Sequence, residues 1–186
     1  MEAKGVFFVA RRQYFTERFG ADRWSSFIEH MGVVDPVFRL PILATTRVPI
    51  ASYLRFQEQS LTTFFRGDEK AYWEMGEQSG EWALTVGPYK HFRQNQREFV
   101  DFVGKSLPQI WSNYFTEGEL ITQVQGTVAE GRIVNLPIWH VSFEYAVMGF
   151  MRRALELSRG PIRSQTRLAG VSAGDRAIHY RFELAR

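Results

Sequence analysis

The sequence predicts an α+β fold, with a helical N-terminal lobe over residues 1–115 followed by an antiparallel sheet with a packed late helix over 116–186. Three observations carry this. Up to about residue 115, apolar side chains recur at spacings of three and four, the period of helices. After Gly118 the pattern turns to alternation, the period of strands. Near the end, Ile178, Tyr180 and Phe182 alternate with charged or polar neighbours, as on a half-buried antiparallel strand. The 186 residues suit one domain and can bury a sizeable core.

The elements follow in order. The opening "MEAKGVFFVARRQYF" holds a short apolar stretch behind an acidic residue and no small-residue cleavage site, so it is read as part of the fold and not as a signal peptide. Residues 16–32 carry Phe19, Trp24, Phe27, Ile28 and Met31 at helical spacings, with Asp22 as candidate N-cap and Gly32 as candidate C-terminal glycine. Residues 34–49 hold three prolines and are read as an irregular connection. A helix over 50–67 places Tyr53, Leu54, Leu61, Phe64 and Phe65 largely on one side. The next, over 67–87, starts from Asp68 and contains Gly76 and Gly80, which either admit a close backbone or mark a bend. Residues 88–107 read as a helix begun by Pro88, and 107–115 as a short one restarted by Pro108. Two strands or one bulged hairpin follow at 119–139, with Gly126 and Glu130–Gly131 as turn signals. A late helix covers about 141–158. A terminal hairpin pairs 162–171 with 176–184 around "SAGD".

Composition narrows the chemistry. With no cysteine, disulfides, thiolate metal sites and cysteine nucleophiles are excluded, and a cytoplasmic setting is expected. No apolar run is long enough to span a membrane. Residues 151–186 carry eight arginines against three acids. Arg152, Arg153, Arg159, Arg163 and Arg167 are spaced as on the wet faces of a helix and strands, so nucleic acid is not the expected partner. There is no HExxH, GxSxG, phosphate-binding glycine loop or GxGxxG, and no catalytic constellation assembles. Asp68, Glu69, Glu74, Glu77 and Glu81 fit a helix N-terminus and its wet face better than a cation site. His30 reads as a helix-end position favoured by the dipole, His91 as an exposed helix turn and His179 as outward-facing on a strand. His140, at the start of the late helix, is read as a capping or buried hydrogen-bonded residue with no second metal ligand nearby.

The order "KGVFF…FTERFGADRWSSFIEHMG", with Gly20 and Trp24 four apart, then "LPQIWSNYF", strands, and a late helix closed by "LSRGPIRSQ", resembles the haem-nitric-oxide-binding (H-NOX) domain over nearly the whole chain. The architecture is also similar to 4-vinyl-reductase-type domains and TRAPP trafficking subunits, and closest to an uncharacterised myxobacterial-type family of about this length. The resemblance implies a strand-like apolar start. It also implies an axial histidine after Leu-Pro-x-x, where this chain has Trp111, and a Tyr-x-Ser-x-Arg propionate motif, which the strands here lack. The implied role is a bacterial sensory or regulatory module that binds a small apolar ligand without haem, metal or turnover. The candidate pocket lining is Phe64, Phe65, Trp82, Phe92, Phe99, Trp111, Tyr114, His140, Phe143 and Phe150. The alternative role is a homodimeric protein-interaction or scaffold subunit, using the connection at 34–49 and the helix at 88–106.

Overall fold

The computed structural model describes residues 1–94 and 98–185. A short strand β1 (Glu2–Lys4) pairs antiparallel with β2 (Arg47–Pro49). Between them run α1 (Val6–Phe19), α2 (Ala21–Val34) and a 3₁₀ turn at Pro36–Arg39. The expected single helix over 16–32 is therefore two. Gly20, at φ 92°, lies in a region that side chains avoid, and it turns the chain between them. The N-cap of α2 is Gly20, not Asp22, which sits in the first turn, and the helix runs past Gly32 to Val34. The strand-like start is likewise a helix: only residues 2–4 are extended, and "VFFVARRQYF" winds so that Phe7, Arg11 and Phe15 share a buried stripe.

Helix α3 (Ile50–Phe65) ends at Arg66 in the left-handed region, and α4 (Ala71–Thr85) follows a turn in which Asp68 accepts the Lys70 N–H at 3.0 Å. Helix α5 spans Lys90–Gln94, two residues later than a start at Pro88. A short α6 (Phe99–Asp101) then runs through a π-type turn at Phe102–Ser106 into α7 (Leu107–Tyr114). The middle of the helix expected over 88–107 lies outside the described residues.

The second lobe is a four-stranded antiparallel sheet in the order β3-β4-β6-β5, built from β3 (Glu119–Gln125), β4 (Val128–Val134), β5 (Ile162–Ala169) and β6 (Ile178–Leu184). The β3–β4 turn is at Gly126, as expected, whereas Glu130–Gly131 lies inside β4, opposite Gln123 and Thr122. Gly131 is there for another reason: the sulfur of Met151 occupies the space a side chain would need. Met151 belongs to α8 (Val141–Arg159), the late helix. On β6, Ile178, Tyr180 and Phe182 are buried as their alternation predicted.

The two lobes meet where α8 crosses α4. A Cβ at Gly76 would collide with the Ala146 carbonyl, one at Gly80 would approach the Phe150 carbonyl at 3.0 Å, and one at Gly149 would collide with the Trp73 carbonyl. The glycines in α4 therefore serve a close backbone approach, not a bend, and α8 supplies a third. The contact joins the helical lobe to the sheet and places α8 beside an apolar cavity between the lobes.

A buried cavity between the lobes as candidate functional site

The cavity is lined by α1 (Phe7, Arg11), α3 (Tyr53), α4 (Gly76, Ser79), α7 with the adjoining Phe115, β3 (Leu120) and α8 (Ala146, Val147, Phe150, Met151). Helix α7 contributes Leu107, Ile110, Trp111 and Tyr114. Its volume is about 60 Å³, room for a molecule of a few heavy atoms. The lining is apolar except at Arg11, Ser79 and the phenols of Tyr53 and Tyr114.

Arg11 is the unusual member. It is 1% exposed, and no carboxylate lies within ion-pair distance of it among the described residues. One guanidinium nitrogen donates to the Met75 carbonyl at 2.5 Å and to Ser79 Oγ at 2.6 Å. The guanidinium carbon lies 4.7 Å from the centre of the Phe7 ring, a cation–π distance. Its Nε–H is buried with no partner, as is the Tyr114 hydroxyl. Burial lowers the Arg11 value to about 10, which still leaves it charged at neutral pH. Burial also pushes the Tyr53 phenol up to about 12 and that of Tyr114 higher still.

Trp111 closes the cavity on the α7 side. Its indole N–H donates to the Gly118 carbonyl at 2.8 Å, and its ring lies 4.7 Å from that of Phe115. A porphyrin needs several hundred Å³, and its iron an axial imidazole, thiolate, thioether or phenolate. The cavity is much smaller, none of the four histidines lines it, and burial disfavours the phenolate form of both lining tyrosines. As folded, the lining does not fit haem.

The ten residues expected to form a pocket are placed in several settings. Trp111, Tyr114 and Phe150 line the cavity. Phe143 is wholly buried behind it, its ring 5.4 Å from Phe115 and 5.8 Å from Tyr53. Phe64 and Phe65 join Phe15 and Phe19 in a separate aromatic cluster of the helical lobe, with Phe64 stacked on Phe15 at 4.5 Å. Trp82 borders a surface groove with Tyr14 and Glu17. Phe92 packs on Tyr89, and Phe99 lies under the Arg159 guanidinium at 5.1 Å. These five are not in the cavity because their helical stripes face other neighbours. His140 is the N-cap of α8: its Nδ1 accepts the Ser142 N–H at 3.1 Å, and its Nε2 is 3.4 Å from Glu58.

The acidic side chains of α4 are occupied by partners. Glu74 bonds Tyr14 and Arg18, Glu77 bonds Trp73 and Arg152, and Glu81 bonds Arg153. No group of metal-ligating side chains occurs among the described residues. The late arginines are engaged too: Arg163 is 3.7 Å from Glu183 and Arg167 is 3.7 Å from Glu144, in addition to the pairs of Arg152 and Arg153 and the Arg159–Phe99 contact. No described helix is long and apolar enough to cross a membrane.

The fold is H-NOX-like. The chain is similar to an H-NOX protein from S. oneidensis in the Fe(II) state (TM-score 0.76, 12% identity, 98% of this chain and 96% of that one). It is also similar to an unliganded Fe(II) H-NOX variant from K. algicida (TM-score 0.70, 7% identity, 98% and 97% covered). A third similar structure comes from work on modulating haem redox potential through protein-induced porphyrin distortion (TM-score 0.67, 13% identity, 97% and 99% covered). No protein-family model matches the chain, and no curated protein matches it in sequence.

Proposed function

We propose that this chain is a sensory or regulatory module that holds a small, largely apolar ligand in the interlobe cavity, without haem and without turnover. The observation that carries this reading is a buried, mainly apolar cavity at the one place where α1, α4, α7 and α8 converge. The H-NOX-like fold supports a sensory role. Trp111 in the wall and a lining without histidine support the absence of haem. Native mass spectrometry of the protein as purified tests both parts. Bare chain, or a retained adduct of small mass, agrees with the proposal, whereas a haem-sized excess over the 21.6 kDa chain overturns it. Xenon-129 NMR then tests the cavity itself: saturable uptake is expected, and its absence would mean that the space is closed to ligands.

A second reading, a homodimeric or scaffold subunit, is favoured by one surface. Val33, Leu40 and Leu43 are 79%, 76% and 64% exposed, and Leu40 lines a groove with Trp24, Ile28 and Phe38. This patch includes much of the connection at 34–49. Light scattering on wild type and Leu40→Asp separates the readings: a dimer that the substitution dissolves supports the second, and a monomer at all concentrations removes homodimerisation.

A further inference from the structure

We propose that the cavity ligand is a small aliphatic carboxylate, its negative head held by Arg11 and Tyr114 and its short tail lying among Ile110, Phe150 and Met151. This ligand class presupposes that the cavity is a binding site, as proposed above. A guanidinium at 1% exposure with no carboxylate partner is a costly arrangement, because a buried charge is normally paired. The two bonds to Met75 and Ser79 satisfy part of its donor set. They come from neutral groups, so the positive charge remains uncompensated. Its Nε–H and the Tyr114 O–H are both buried without acceptors; both residues contribute to the same cavity wall, and because neither donor atom is itself open to the cavity, a ligand oxygen reaches them only as the wall shifts to admit it. Two unmatched donors and one unmatched positive charge are complementary to a carboxylate, which only accepts hydrogen bonds. A doubly charged anion would leave one charge unmatched. The rest of the wall is hydrocarbon and aromatic, which suits an alkyl tail better than a further polar group. About 60 Å³ limits the whole molecule to roughly the size of acetate or propionate.

The test is calorimetric titration of the full chain with propionate and with propionamide, its neutral isostere, repeated on Tyr114→Phe and Arg11→Met. Tyr114→Phe keeps the ring and the apolar packing, so it remains informative if Arg11→Met does not fold. The expected result is saturable propionate binding at one site, weakened roughly tenfold or more in propionamide, and several-fold weaker in Tyr114→Phe. In Arg11→Met the preference for the anion should vanish. Equal binding of the two compounds, or a preference that survives both substitutions, overturns the carboxylate assignment. If xenon still enters the cavity in that case, the apolar-ligand reading stands and only the charge assignment fails. If neither propionate, propionamide nor xenon binds, both fall together.

Discussion

Arg11 shows what could be read from single residues and what could not. Its position was legible: it falls midway between Phe7 and Phe15 at helical spacing, so a charge interrupts an otherwise apolar stripe. Its role was hidden, because the resemblance implies a strand-like start there, and because the missing carboxylate is a fact about neighbours on α3, α4 and α7. Of the two roles the sequence leaves open for His140, capping and burial, the structure gives the cap: it precedes the first turn of Val141–Arg159, is not buried and does not line the cavity. His140→Ala is expected to cost about 1 kcal/mol in urea-unfolding free energy, the usual loss for an N-cap. Asp35 supplies a pH-dependent prediction. Burial on its own raises the carboxyl, but the hydrogen bonds from Ser52 and the Val37 N–H, with Arg55 at 2.5 Å, hold it below its ordinary 3.8. A carboxylate lowered on folding stabilises the fold above its unfolded value, and that stabilisation is lost as pH falls through the folded one. Wild type should therefore be more stable than Asp35→Asn at pH 7, and the gap should shrink as pH falls below the ordinary carboxylate range, as urea unfolding at a series of pH values will report.

Among the elements, the α4–α8 crossing decides the most. Gly76 and Gly80, four apart, gave a visible sign of close packing on α4. Their partner, Gly149, could not be matched to them from sequence, since the contact spans some seventy residues of intervening chain. Gly149→Ala should destabilise by about 1–3 kcal/mol, because its methyl group must displace the Trp73 backbone. Gly104→Ala in the π-type turn is the control, because an added Cβ there meets nothing within 4 Å. It should be neutral or stabilising by up to about 1 kcal/mol through reduced freedom of the unfolded chain. Both are read from denaturant midpoints. The break at Gly20 and the placement of Gly131 within a strand went the other way: a glycine is equally at home in a turn, a left-handed junction or beneath a bulky side chain, and only the packed neighbours distinguish these.

At the scale of the molecule, the α+β class was legible, because it rests on a change of period that runs for tens of residues. The cavity wall was legible only in Trp111, Tyr114 and Phe150. Aromatic residues fill cores and line pockets alike, so their number said little about which would face the gap. Because the α4–α8 crossing and the cavity wall join both lobes, heat or urea should unfold the chain in a single transition. Matching midpoints from far-ultraviolet circular dichroism and tryptophan fluorescence would show this. Trp111→Ala should cost about 3–5 kcal/mol and enlarge the cavity enough to admit benzene, seen as ligand-dependent recovery of the melting temperature.

The cavity wall also governs time. Of its fifteen residues all but Val147 and Phe150, half-exposed on adjoining turns of α8, are buried. For the ligand proposed above, entry and exit would require those side chains, or the helix that carries them, to swing aside, so exchange is expected to be paced by the breathing of the chain and not by diffusion. For the sensory role proposed above, that pacing predicts a response to how long a compound persists around the protein and none to a pulse shorter than the interval between openings.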